Sequence, residues 1–197
     1  MGISERRIRE KESVRASILA TAWDMVKQDG WQSLSIRKIA DGIEYSVPVI
    51  YDHFENKEAI LAEFVDEGFR KLTKKIKLAK ARHEDPAEQL KAMAIAYWNF
   101  ALENKEYYQL MFGVNMMCCD EACEMEDSFD KYIMASIEAL IAKSKRSDAK
   151  ACLKYHTYWS ILHGLVSIKI MNISPVGGEL NKLVVEDAIE GFIKNLN

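Results

Sequence analysis

Residues 35–54 read SIRKIADGIEYSVPVIYDHF. Apolar residues at helical spacing predict a short helix that ends at the Asp41-Gly42 pair. A second helix is expected to follow, with Ser46 at its N-cap and Pro48 in its first turn, where a missing backbone N–H costs nothing. Two short helices joined by a tight turn predict a helix-turn-helix, whose second helix fits the major groove of double-stranded DNA.

The rest of the chain also shows the apolar spacing of α-helices. Asn56 is a good N-cap for a long helix, and Pro86 suits the first position of another. The predicted helices outside the motif cover residues 5–29, 57–83, 86–103, 105–112, 120–144, 148–172 and 179–195. We therefore expect an all-α fold of about nine helices. Residues 1–55 form the helix-turn-helix domain, whose framing helix continues to about residue 70, and residues 56–197 form a second helical domain.

The charge distribution distinguishes the two parts of the chain. The net charge is −3, but residues 1–80 hold 15 Lys and Arg against 13 Asp and Glu, whereas residues 81–197 hold 12 against 17. The positive sign of the first part suits a DNA-facing surface. No apolar run reaches the roughly 18 residues that a membrane span needs, and the N-terminus has no apolar signal-peptide core. A cytoplasmic location is expected.

Four cysteines raise the question of a metal site. Cys118, Cys119 and Cys123 lie close together, but they lack paired CxxC spacing and a neighbouring His. Reduced thiols in a cytosolic protein are the expected state, so we predict neither a metal nor a cofactor. A thiol-reactive sensor stays open as the alternative.

Sequence motifs of the common enzyme classes are missing. The chain has no GxSxG, HExxH, phosphate-loop or dinucleotide-binding glycine pattern. We therefore expect a DNA-binding protein and no enzyme. The alternative is a helical interaction module that has lost DNA binding.

Residues 10–70 resemble the DNA-binding domain of the tetracycline-repressor (TetR) family of bacterial regulators. The matching segments are Ile18-Leu19-x-x-Ala22, Gly30-Trp31, LSIRKIA at 34–40 and IYxHFxNKExIL at 50–61. The resemblance implies an all-helical homodimer that binds a palindromic operator. It further implies a repressor that releases DNA when a small-molecule inducer occupies the C-terminal domain.

The predicted DNA-binding residues lie on the helix-turn-helix and at the start of the next helix. They are Ser35, Arg37, Lys38, Tyr45, Ser46, Val47, Val49, Tyr51, His53 and Lys57. The resemblance places Tyr51, His53 and Lys57 on the DNA backbone. It places Tyr45, Ser46, Val47 and Val49 at positions where base contacts vary between members. The sequence departs from the family at Glu44, because the family usually has Gly at this turn position, which often needs a positive φ.

Aromatic and Met residues concentrate in the C-terminal part, where they fit either a packed core or an adaptable pocket for a hydrophobic or aromatic ligand. The predicted ligand-binding residues are Tyr97, Trp98, Tyr108, Met111, Phe112, Met125, Phe129, Trp159 and His163. His163 fits equally well as a hydrogen-bonded core residue.

The Trp159…His163-Gly164 pattern resembles a signature of one C-terminal subclass of the family. A glycine inside a helix costs about 1 kcal/mol relative to Ala, which a close helix–helix approach would justify. We expect this helix and the last one to form a four-helix dimer contact across a two-fold axis. The predicted interface residues are Trp159, Gly164, Ile168, Val184, Ala188 and Phe192.

Overall fold

The computed structural model describes residues 3–113, 128–144, 150–172 and 177–196. Nine α-helices account for most of these residues. They are α1 Ile3–Asp29, α2 Ile36–Gly42, α3 Val47–Tyr51, α4 Lys57–Lys80, α5 Pro86–Glu103, α6 Lys105–Gly113, α7 Phe129–Lys143, α8 Ala151–Ile170 and α9 Gly178–Leu196. One turn of 3-10 helix, Trp31–Ser33, separates α1 from α2. No β-strand occurs in the described ranges, which confirms the predicted all-α fold.

Local sequence signals set several helix ends. Asn56 caps α4, because its side-chain Oδ1 accepts a hydrogen bond from the Ala59 N–H at 2.8 Å. Asp85 caps α5 in the same way, ahead of Pro86 at the first helical position. Gly30 follows α1 with a φ of +80°, a conformation that glycine adopts without steric cost.

The chain divides into two compact units. The divisions fall inside helices, between Glu67 and Gly68 in α4 and between Tyr108 and Gln109 in α6. The first unit contains α1 to α3, the start of α4 and the end of α6. The second unit contains the rest of α4 to α6 together with α7 to α9.

The first unit has a core formed by α1, the helix-turn-helix and α4. Fully buried side chains include Ile18 of α1, Ile39 of α2, Ile50 of α3 and Ile60 of α4. The α1 and α2 helices approach closely, since a Cβ placed on Gly42 would lie 2.9 Å from the Thr21 Cγ2 atom. This packing fixes the position of the helix-turn-helix on α1.

In the second unit, α5 packs against α7, α8 and α9. Its inward side chains include Leu90, Met93 and Phe100, all with no exposed surface. The buried Tyr158 of α8 donates a hydrogen bond from its hydroxyl to the Leu90 carbonyl oxygen at 2.6 Å. A buried polar group with a partner of this kind holds α8 at one position along α5.

The α4 and α8 helices end earlier in the structure than the sequence predicts. The α4 helix ends at Lys80 and not at residue 83, because Arg82 and His83 donate to carbonyls three residues earlier, as in a turn. The α8 helix covers Ala151–Ile170 and ends before Asn172, whose φ is +53°. The described part of α7 begins at Phe129, capped by Ser128, and the predicted start at residue 120 lies outside the described residues.

A helix that spans a bilayer must be both long and predominantly apolar. None of the described helices combines sufficient length with sufficient apolar character to cross a membrane.

Candidate functional site

The turn between α2 and α3 is closed by a pair of backbone hydrogen bonds. The Tyr45 N–H donates to the Ala40 carbonyl oxygen at 3.0 Å, and the Glu44 N–H donates to that of Asp41 at 3.3 Å. This is the Schellman arrangement, in which the residue after the helix takes a left-handed conformation. Glu44 occupies that position with a φ of +61°. The structure therefore places a glutamate where glycine is usual.

The α3 helix buries one side and exposes the other. Ile50 is fully buried and Phe54 is 5% exposed, so both belong to the core. Tyr45 and Tyr51, by contrast, are about half exposed, at 48% and 54%. The predicted base-reading residue Ser46 is exposed as well. This face of α3 is available for a partner.

Hydroxyl and cationic groups flank the exposed face of α3. Ser35 and Ser46 stand at the N-caps of α2 and α3, but neither hydroxyl accepts a hydrogen bond from the helix it precedes. Arg37 and Lys38 are exposed in the first turn of α2. Side chains of these kinds commonly contact phosphate oxygens.

Lys57 begins α4 and has a partner within the first unit. Its ammonium donates to the Gln32 carbonyl oxygen at 3.3 Å, which ties α4 to the 3-10 turn. An ammonium carries three N–H groups, so this bond is compatible with a phosphate contact.

His53 follows α3 and is partly buried. Its Nδ1 atom is buried without a hydrogen-bond partner among the described residues. Burial and the charges of Lys11 and Arg15 lower the pKa of His53, and the nearby Asp52 carboxylate acts in the opposite direction. The imidazole is therefore neutral near pH 7, with one ring nitrogen that no described residue hydrogen-bonds.

Arg15 forms contacts across the first unit that the sequence did not predict. Its guanidinium lies 4.8 Å from the centroid of the Phe54 ring and forms an ion pair with Glu63 at 2.5 Å. One side chain thus joins α1, the end of the helix-turn-helix and α4. The sequence carries no signal for this link, because Arg15 and Glu63 are 48 residues apart.

Six of the nine predicted ligand-binding residues lie in the second unit, and five of these are linked by ring or hydrogen-bond contacts. Tyr97 and Tyr108 are buried with their hydroxyl oxygens 3.2 Å apart, and the Tyr108 hydroxyl lies 2.7 Å from Nδ1 of His163. The Trp159 ring stacks on the imidazole of His163 at 4.9 Å. Phe129 packs against Tyr97 at 6.4 Å. We call these five residues the aromatic cluster.

Burial alters the titration of the aromatic cluster. It raises the pKa of Tyr97 and Tyr108 and lowers the pKa of His163. All three side chains are therefore neutral near pH 7. The cluster presents hydroxyl, indole and imidazole groups without a full charge of its own.

The other predicted ligand-binding residues have different positions. Trp98 is buried in α5, whereas Met111 and Phe112 belong to the part of α6 that groups with the first unit. Met125 lies outside the described residues, as do Cys118, Cys119 and Cys123.

The second unit also has an open groove of about 610 Å³ that the sequence did not predict. It lies between α4, α5 and α9, with Ala92 and Ile189 in its lining and Lys75 and Arg82 among its cations. No residue of the aromatic cluster lines it.

The predicted dimer residues divide into exposed and buried groups. Ile168 and Val184 are exposed, at 43% and 42%. Apart from its chain neighbours and the backbone of its own helix, no described residue has an atom within 4 Å of a Cβ built on Gly164. Phe192, however, is buried against Tyr158 with ring centroids 5.5 Å apart, and Trp159 belongs to the aromatic cluster. Ala188 is partly buried.

Two exposed leucines of α9 extend the apolar surface beyond the predicted residues. Leu180 is 52% exposed and Leu183 is 56% exposed. We refer to Ile168, Leu180, Leu183 and Val184 together as the α8/α9 apolar face. Exposed apolar residues in such number often mark a protein–protein contact.

Comparison with known protein families gives two matches along the chain. Residues 18–64 match the model described as bacterial regulatory proteins of the tetR family. Residues 90–179 match the model described as the tetracyclin repressor-like C-terminal domain. Together the two models match more than two thirds of the chain.

The chain is also similar to individual proteins in sequence and in fold. The chain is 24% identical over 147 residues to the uncharacterized HTH-type transcriptional regulator YobS of Bacillus subtilis (strain 168). The aligned region covers 75% of this chain and 74% of YobS. The fold is similar to that of the putative regulatory protein SCO4313, with a TM-score of 0.67, 19% identity and coverage of 94% and 98% of the two chains. The TetR family transcriptional regulator PfmR from Thermus thermophilus gives a TM-score of 0.67, 19% identity and coverage of 90% and 97%.

Proposed function

Because the chain belongs to the TetR family of bacterial transcription regulators, we propose that it is a repressor that binds a palindromic operator as a homodimer. A small-molecule inducer bound in the second unit releases it from DNA. It acts in the cytoplasm by binding and not by catalysis. The observation that carries the proposal is the exposed face of α3, flanked by the cations of α2 and α4.

In the proposed division of labour, residues of the first unit contact DNA. Tyr51, His53 and Lys57 bind phosphates, and Arg37 and Lys38 add electrostatic attraction. Arg15 acts as a positioning residue, since it joins α1 to Phe54 and Glu63.

The second unit is proposed to bind the inducer and the second copy of the chain. The aromatic cluster suits an aromatic or hydrophobic inducer, because its rings are joined by hydroxyl, indole and imidazole groups that fix orientation. The α8/α9 apolar face, with Gly164 beside it, suits a four-helix contact between two copies.

Release of DNA needs only a modest difference in inducer affinity between two conformations. A dimer reads two half-sites about 34 Å apart, or a multiple of that distance. An inducer that favours a conformation with different spacing by about 2.7 kcal/mol weakens operator binding roughly 100-fold.

Operator binding is tested by fluorescence anisotropy with the DNA upstream of the protein's own gene, over a range of salt concentrations. We expect affinity to fall steeply with salt, and Lys57→Ala to weaken binding and reduce the salt slope by about one. Lys27→Ala removes an exposed lysine of α1 that pairs with Asp24, and it serves as the matched control. Salt-independent binding, or no binding to any genomic fragment, contradicts the proposal and favours an interaction module.

A further inference from the structure

The leading end of α3 is apolar where a DNA-reading helix would usually carry polar side chains. Its first three residues are Val47, Pro48 and Val49. Pro48 is exposed and the two valines are partly exposed, although Ile50 and Phe54 already supply the buried side of the helix. These three apolar side chains therefore keep part of their surface open to a partner.

The same stretch lacks the side chains that read bases through paired hydrogen bonds. From Ile39 to Glu55 the sequence contains no Arg, Lys, Asn or Gln. Arg and Lys read the O6 and N7 acceptors of guanine, and Asn and Gln read adenine. Arg37, Lys38 and Lys57 lie outside α3, in the first turns of α2 and α4, where side chains contact the DNA backbone.

The stretch from Ile39 to Glu55 is also negatively charged. Its only fully charged groups are four exposed carboxylates, those of Asp41, Glu44, Asp52 and Glu55. Carboxylates repel phosphates, so they weaken the attraction of this surface for the backbone of any DNA. Tyr51 and His53 are already placed on phosphates, so apolar contact and the hydroxyls of Tyr45 and Ser46 remain for base reading.

From these observations, and resting on the proposed function, we propose that Val47, Pro48 and Val49 read the operator through the C5-methyl groups of thymine. Thymine is the one base that presents a methyl group in the major groove, and an apolar side chain is its natural contact. The carboxylates around α3 lower affinity for all other DNA and so sharpen the selection.

The proposal is tested on the DNA that the full-length protein selects from a random-sequence library. Each thymine of the selected half-site is replaced by uracil, which removes the methyl group and leaves base pairing unchanged. We expect one to three positions at which the dissociation constant rises about fourfold, the factor for one methyl group returned to water. Guanines are replaced by 7-deazaguanine, which removes the N7 acceptor, and we expect changes below twofold.

Variants of the protein identify the side chains. Val49→Ala should weaken binding to the thymine operator and abolish the effect of uracil at one position. Val47→Ala should also weaken binding, and it should abolish the effect of uracil at a different position. Val65→Ala, which changes a partly buried valine of α4, keeps the full uracil effect. Asp52→Asn should raise affinity for all DNA alike without changing base preference.

The possible outcomes distinguish a failure of methyl reading from a failure of operator binding. Selected DNA whose binding ignores uracil everywhere, or depends more on 7-deazaguanine, overturns methyl reading and leaves operator binding intact. Loss of a preference for cytosine in Asp52→Asn overturns the role given to the carboxylates, because Asp52 would then be reading that base. Failure to select any DNA overturns the proposed function and methyl reading with it.

Discussion

Replacing Glu44 by glycine should stabilise the protein although it removes a side chain. Glu44 holds a φ of +61° at the end of α2. A left-handed conformation costs a residue with a Cβ roughly 1–2 kcal/mol, and glycine adopts it without this cost. Glycine also gives the unfolded chain more freedom, which opposes the gain by about 0.4–1 kcal/mol. The expected net gain of Glu44→Gly is therefore about 1 kcal/mol.

The matched control is Glu55→Gly, which removes another exposed glutamate near α3. Glu55 is not among the residues with positive φ. The control therefore gains nothing in the folded state and should lose about 0.4–1 kcal/mol through the unfolded chain. Glu44→Gln separates the loss of charge from the loss of the Cβ, since it keeps the strained backbone.

The measurement is urea unfolding followed by far-UV circular dichroism, at one protein concentration because a dimer's stability depends on it. We expect the midpoint of Glu44→Gly to rise, that of Glu55→Gly to fall, and that of Glu44→Gln to stay near the wild-type value. In a chain of this size the Glu44→Gly gain corresponds to a melting temperature about 2–4 °C higher. Equal midpoints for the two glycine variants would refute the argument from φ.

Three further predictions concern the second unit. Leu183→Lys, which places a charge in the α8/α9 apolar face, should shift the protein from dimer to monomer in analytical ultracentrifugation while its helical content stays unchanged; a dimer of wild-type affinity contradicts the interface. Phe192→Ala should lower the free energy of unfolding by about 3–4 kcal/mol, since it leaves a cavity beside Tyr158, and a loss below 1 kcal/mol in urea unfolding would mean that Phe192 is not part of the core. Because burial lowers the pKa of His163, the folded state disfavours its protonation, and stability should decline as pH falls below about 6.5, the ordinary histidine value. His163→Gln should show a smaller decline between pH 7 and pH 5, and an identical decline would contradict this assignment.

Local interactions made the helices predictable. Asn56 and Asp85 cap helices through hydrogen bonds to N–H groups three residues later, which adjacent sequence is sufficient to anticipate. The unusual backbone at Glu44 was also visible, because it depends on one turn. The predicted partner, DNA, followed from the resemblance of short segments of the chain to the TetR family.

Contacts between distant residues could not be anticipated in the same way. The link from Arg15 to Glu63 and the bond from Lys57 to the Gln32 carbonyl join residues 48 and 25 positions apart. Phe192 shows the limit of periodicity, because an apolar residue on the last helix fits an interface and a core equally well until its neighbour Tyr158 is known. Contact with DNA, inducer and a second subunit stays a prediction for the individual residues.

The hydrogen bonds of the aromatic cluster form one linked chain. Trp159, which shares a hydrogen bond with Tyr97, has an indole N–H that can only donate. At the other end, the Tyr108 hydroxyl lies 2.7 Å from Nδ1 of His163, and the tautomer of the imidazole decides which of the two groups donates. Each hydroxyl has one proton to donate, so that choice bears on the direction of the bond between Tyr97 and Tyr108. A ligand that takes over any one of these bonds changes the partners available to the next, so α5, α6 and α8 respond to it together.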